Sequence, residues 1–176
     1  MKKQLIGMNG EKMAKKNAHI GSFMVAAGAI IKHSNTNKVL VLKREDTDHL
    51  KNKWELMYGR IDQFEELEEG LKREVIEETG ITDLKINKLM RVWHIHRGQE
   101  KTADNEIYGF TFLCETNTTK IKLSREHSEY RWVNPEEALK LIETVGIKRD
   151  IELYLKTEQK DLKIYVSDVN ENIKQY

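Results

Sequence analysis

Apolar residues recur along this chain in runs that change period. HIGSFMVAAGAII, from His19 to Ile31, is apolar on both alternating faces, as a central strand covered on both sides requires. Ser34-Asn35-Thr36-Asn37 has turn chemistry. KVLVLKR, Lys38 to Arg44, predicts a second strand, and Trp54 to Met57 a short third. The period then becomes helical from about Glu65 to Thr79, closed by Gly80. Leu84 to His96 and Glu106 to Glu115 read as strands around a polar loop, Gly98 to Asn105. Tyr130 to Val133 predicts a short strand. Asn134-Pro135-Glu136-Glu137 then opens a helix, with Asn as cap, Pro in the first turn and Glu at the capping-box position. A last helix from about Ile147 places Ile147, Ile151, Tyr154 and Leu155 on one face.

Strands before, between and after helices predict one α/β layered domain with a mixed sheet between helices. The domain runs from 19 to 157, behind a polar, basic arm over 1–18. The tail over 158–176 contains LKIYVSD, which predicts an extra strand or a homodimer arm. No G-x-G-x-x-G follows the first strand and no Walker-type lysine motif is present, which argues against a dinucleotide or P-loop fold.

Composition narrows the class. Across 176 residues, acids and bases nearly cancel to a net charge of +1, so no basic excess points to nucleic acid. No segment has the length and apolarity to cross a membrane. Met1-Lys2-Lys3 is not followed by the apolar run of a signal peptide. Cys114, the single cysteine, has no partner for an internal disulfide, which suits a reducing compartment. A cytoplasmic protein is the expectation.

The charge is unevenly spread. GRIDQFEELEEGLKREVIEETGI, Gly59 to Ile81, is crowded with carboxylates. At about 100° per residue, Leu67, Leu71 and Val75 form one stripe. Glu78 falls inside it, Glu74 at its edge and Glu77 just beyond, while Glu69 points the opposite way. Acids three and four residues apart repel by a few tenths of a kcal/mol per pair. Facing inward they cost far more unless neutralised. Two readings follow: a solvated helix face, or a seat for a hard divalent cation ordered by Arg73.

Spacing within the helix leaves both open, and a resemblance of the whole segment favours the cation. Gly59, five residues, Glu65, seven residues, Arg73-Glu74-Val75, one residue, Glu77-Glu78, one residue, Gly80-Ile81 resembles the Nudix box at all nine specified positions. KVLVLKR with KWEL, and EYRWVNPEEALKLI, resemble the family's flanking elements, so the likeness runs from about His19 to Ile142. It implies an α/β/α sandwich with a central mixed sheet. It also implies hydrolysis, with Mg²⁺ or Mn²⁺, of a nucleoside diphosphate linked to another group. Glu77 and Glu78 would be metal ligands, and Glu74 a ligand or the base. Arg73 would orient the glutamates. Gly59 and Gly80 would shape the loop–helix–loop, and Glu65 would support it. A further loop glutamate is expected from REHSEYRW, Glu126 ahead of Glu129.

Two positions depart from the family pattern. Met57-Tyr58-Gly59 replaces Pro-Gly-Gly, leaving the Tyr58 carbonyl as the expected backbone ligand on a residue with fewer allowed angles than glycine. Glu66 replaces the usual small cap residue.

The substrate is less legible. The proline and tyrosine that mark ADP-ribose and dinucleoside polyphosphate hydrolysis are replaced by Arg97 and Gln99. Arg44, with Lys43, is a candidate phosphate contact, and the alternative is a solvated strand end. Tyr108 shares a strand face with Phe110, Phe112 and Cys114, so it is either core or a base-stacking ring. His94 and His96 share a face and are a metal pair or hydrogen-bonded histidines. Asp104-Asn105-Glu106 reads as a strand entrance. Two alternatives to a hydrolase share the fold that the resemblance implies: a prenyl-diphosphate isomerase, which calls for a cysteine and histidine site, and a non-catalytic ligand sensor, which usually lacks some of the box glutamates.

Overall fold

The computed structural model describes residues 22–45, 51–98 and 101–157, and the backbone of two short strands further on. The expected arm over 1–18 and the start of the first predicted strand lie outside the described residues.

Nine strands and three helices follow in chain order. They are β1 (Met24–His33), β2 (Val39–Arg44), β3 (Trp54–Glu55), β4 (Met57–Ile61), α1 (Leu67–Thr79), β5 (Lys85–His96), β6 (Glu106–Thr116), β7 (His127–Val133), α2 (Pro135–Leu141), α3 (Val145–Thr157), β8 (Tyr165–Ser167) and β9 (Ile173–Gln175). β1 to β7 make one sheet ordered β3-β2-β1-β6-β5, with β4 on β1 and β7 on β2. β1 and β6 run parallel, Met24 opposite Ile107 through His33 opposite Thr116, and the other pairs are antiparallel. β8 and β9 pair with each other, so the tail's predicted extra strand is half of a hairpin outside the main sheet.

The two-sided apolar pattern of β1 and β2 does what it predicts. Ile30, Val39 and Val41 pack with Ile142, Ile151 and Tyr154 of the α2–α3 layer. Ala29, Ile31, Leu40 and Leu42 face the other way, onto Leu71 and Val75 of α1. Each such fully buried aliphatic side chain contributes roughly 1.5–3 kcal/mol. The layers are therefore α/β/α.

Three local expectations change. The short strand at Trp54 is two strands broken at Leu56, the second running through Gly59 to Ile61, because β4 completes β1 where β2 has left it. Asn134 makes no side-chain cap bond; Pro135 starts α2 with its fixed φ alone. β7 begins at His127 rather than Tyr130, since its ladder with β2 continues past a bulge to Arg44.

Candidate active site

Helix α1 presents its acids in two sets. Leu71, Val75 and Glu78 are buried, while Glu69 on the far side is solvated. Glu66 caps the N-terminus by position only, with no side-chain bond. The C-terminus closes on Gly80, whose φ of 70° and amide bond to the Ile76 carbonyl are a left-handed cap. Gly59 is required for space: a Cβ there would lie 2.2 Å from Glu74 Cγ. Strand β4 and helix α1 thus touch backbone to side chain at the point where the acids gather.

Arg73 ties the loop to the helix. Its Nε and Nη2 donate to the two oxygens of Glu65 at 2.8 and 2.9 Å. Its Nη1 donates to Glu74 Oε1 at 2.8 Å, and its Nη2 to the Arg60 carbonyl at 3.0 Å. The guanidinium fork, with the Asp62 amide, pulls the Glu65 carboxyl down to about 2. Glu65 is therefore a loop support, and Glu74 is aimed by Arg73. Glu77 is 59% exposed and sits 3.4 Å from Arg73 Nη1 at the rim.

Glu78 is the focus. Its Oε2 is sealed from solvent and accepts no hydrogen bond. Burial first, then the charges of Glu126, Glu74 and Glu55, push its carboxyl up to about 8. The cation that acts on it, Arg44, is already divided between Glu55 Oε1 at 3.0 Å and Glu126 Oε2 at 3.1 Å. His127 lies between two acids, with Nε2 3.1 Å from Glu55 and Nδ1 3.9 Å from Glu78. Four carboxylates converge with one shared arginine and an orphaned buried oxygen. The carboxylate oxygens are donors of the kind a hard divalent cation such as Mg²⁺ or Mn²⁺ takes, and the Nδ1 of His127 beside them is a second buried atom without a hydrogen-bond partner.

Of the two loop glutamates, Glu126 belongs to this cluster, whereas Glu129 is bonded to Arg131 at 2.8 Å. Arg44 is a member of the cluster rather than a solvated strand end. Tyr58 turns its side chain to the opposite layer. Its ring covers Gly28 of β1, and its hydroxyl donates to Asp150 of α3. It lies in extended β4 with no positive φ, so the family's usual glycine is replaced here without backbone strain. Tyr108 is not brought to the carboxylates: β6 is separated from β2 and β7 by β1. It stands 36% exposed, its ring stacked on His94 at 4.3 Å and edge-on to Phe23 at 4.9 Å. Phe112 of the same face is core. Cys114 is buried there too, and burial pushes its thiol up to about 12.

Sequence reasoning missed Glu55 and His127 as site members. Both lie in segments already singled out, KWEL and REHSEYRW, but only the β2–β3 and β2–β7 ladders bring them to Glu78.

This architecture is that of a known family. The chain matches the NUDIX domain over residues 22–153, and it belongs to the Nudix family. It is similar to Nudix hydrolase 7 of Arabidopsis thaliana, 44% identical over 120 residues, covering 66% of this chain and 41% of that protein. It is 27% identical over 128 residues to the RNA pyrophosphohydrolase of Pelagibacter ubique (strain HTCC1062), covering 64% of this chain and 78% of that one. Among solved structures, the MutT protein from Methanosarcina mazei Go1 superposes with a TM-score of 0.65 at 25% identity, covering 81% of this chain and all of that one. The chain thus spans well under half the length of the plant relative.

Proposed function

We propose that this protein hydrolyses a diphosphate linkage in a nucleoside diphosphate joined to another group, with Mg²⁺ or Mn²⁺. The observation that carries the reading is the orphaned Glu78 oxygen, buried among Glu74, Glu55 and Glu126 with no cation of its own. Glu78 and Glu74 would hold the metal, with Glu77 at the rim and the Tyr58 carbonyl as backbone ligand. A bound Mg²⁺ or Mn²⁺ supplies charge neutralisation on the diphosphate oxygens and lowers the pKa of water. Arg73 fixes Glu74 so that its free oxygen keeps one direction. Glu126, about half exposed, is open to solvent and takes the proton as water attacks phosphorus. The water oxygen forms the new P–O bond while the bridging P–O bond breaks. Arg44 offers positive charge to the phosphates, and Tyr108 with Phe23 an aromatic surface for a base.

Two further observations favour hydrolysis over the alternatives. Cys114 is sealed in the core, away from any site an isomerase would use. All the box glutamates are present, which a sensor does not need. The test is phosphate and pyrophosphate release from a panel of nucleoside triphosphates, nucleotide sugars, dinucleoside polyphosphates and a 5′-triphosphorylated oligonucleotide, with Mg²⁺ and with Mn²⁺. Turnover of one class by wild type, lost in Glu78→Gln, is expected. A folded, cation-binding protein that turns over none of them overturns the hydrolase reading.

A further inference from the structure

At the opposite edge of the sheet, a second cluster differs from the first in every chemical respect. β5 is the edge strand, and its last residues pair in register with the start of β6: His94 opposite Tyr108, Ile95 opposite Ile107, His96 opposite Glu106. Side chains alternate, so His94, His96, Glu106 and Tyr108 all stand on one face. His94 Nε2 lies 2.8 Å from Glu106 Oε1, and the two imidazole rings are 5.0 Å apart. One ligand atom from each of His94, His96 and Glu106 lies within 4.8 Å of the others. Nδ1 of His96 is closed off from solvent and has no hydrogen-bond partner.

We propose that His94, His96 and Glu106 form a second metal site, selective for an imidazole-preferring divalent ion of the Zn²⁺ class. Three ligands at bond lengths of about 2.0–2.1 Å around a tetrahedral centre stand roughly 3.3 Å from one another, so a small rotation of His96 closes the set. All three residues are half-buried, which leaves the fourth position to solvent. The two sites sort by ligand chemistry: mainly glutamate oxygens for Mg²⁺ or Mn²⁺ under α1, and two nitrogens with one oxygen for a softer ion here. The amide of Arg97 already donates to the Asn105 carbonyl at 2.8 Å across the mouth of the β5–β6 connection. The ion would be a staple at that mouth, linking two strands whose remaining cross-links there are hydrogen bonds. Glu106, which the sequence presents as a strand entrance, is the residue that turns a histidine pair into a chelate.

The experiment is equilibrium dialysis of the full chain against Zn²⁺, with excess Mg²⁺ present. Wild type and a Glu74→Gln/Glu78→Gln variant are each expected to retain one tightly held Zn²⁺. Adding His94→Gln and His96→Gln is expected to weaken that binding at least tenfold. To separate ligation from misfolding, Cu²⁺ is added to the Glu74→Gln/Glu78→Gln protein with both histidines intact. Its electron paramagnetic resonance spectrum is expected to show nitrogen couplings from two imidazoles. Zn²⁺ retention that vanishes with the glutamates, retention unchanged in the histidine variants, or a Cu²⁺ spectrum without nitrogen coupling each overturns the proposal.

Discussion

Two of the buried acids in this domain, Glu78 and Asp150, lie on opposite faces of the sheet and are treated differently. Asp150 of α3 ion-pairs with Arg91 of β5 at 2.8 Å, accepts the Tyr58 hydroxyl, and accepts the Thr111 hydroxyl at 3.2 Å. Thr111 in turn accepts the Trp93 indole N–H at 3.1 Å. Glu78 Oε2 accepts no hydrogen bond and has only His127 Nδ1 at 3.9 Å, while Arg44, the arginine that acts on it, is bonded to Glu55 and Glu126. Both carboxyls are pushed up, by burial first; Arg91 opposes the shift at Asp150 through a direct ion pair, whereas at Glu78 three neighbouring carboxylates add to it ahead of the opposing Arg44. The first cluster holds layers together; the second keeps a repulsion that the cation of the proposed function would relieve.

The sharpest way to break the comparison is to neutralise each acid. Glu78→Gln is expected to lower turnover on the order of 10³-fold while leaving the urea midpoint unchanged or higher. Asp150→Ala, by contrast, strands Arg91 and is expected to lose about 3–5 kcal/mol of stability, read as a lower urea midpoint. Equal destabilisation in the two variants would erase the distinction.

A pH series sharpens it next. The Glu78 carboxyl is raised from 4.5 to about 8 in the fold, so the folded state favours the proton. The contribution of Glu78 to the stability of the metal-free protein is then largest below 4.5, and on the order of a few kcal/mol of it is lost as pH rises from there through 8. Saturating Mg²⁺ is expected to flatten that decline, and Mg²⁺ affinity to rise up to tenfold per pH unit until about 8. Thermal melts and calorimetric titrations across that range check both.

Gly59→Ala pushes on Glu74 from the strand side and is expected to cut turnover by about 10–100-fold with a modest loss of stability. Tyr58→Phe is the mildest change. It leaves Asp150 one donor short and is expected to cost about 1–3 kcal/mol, with turnover per folded molecule close to wild type.

Periodicity carried the reading of α1 a long way, because helix geometry alone sets which glutamates face inward; Glu78 in the Leu71–Val75 stripe and Glu69 outside it are both where phase puts them. The sheet's two-sided core was legible for the same reason in β1 and β2. Pairings across long sequence distances were not. Nothing in the sequence near Glu55 says that His127 and Arg44 will converge on it, and nothing near Tyr58 announces Asp150. The extension of β4 through Gly59 was hidden because glycine ordinarily weakens a strand; here it is demanded by the side chain of Glu74. Glu66 and Asn134 have the positions of helix caps without making cap bonds, since cap chemistry depends on rotamers that sequence does not fix.

The parallel ladder of β1 on β6 has a consequence for how the protein comes into being. β1 has its parallel neighbour only after β6 has been made, and β2 gets β7 later still. Such long-range closures are slow and carry their entropy cost before any reward. During synthesis, β1 and β2 must wait as a partly covered ribbon with one apolar face open. Glu126 and His127 arrive with β7, so the carboxylate cluster is among the last things to form. The nascent chain thus exposes apolar strand surface before the carboxylate cluster proposed to hold a metal is complete, a stage at which a chaperone would protect it and Mg²⁺ would not.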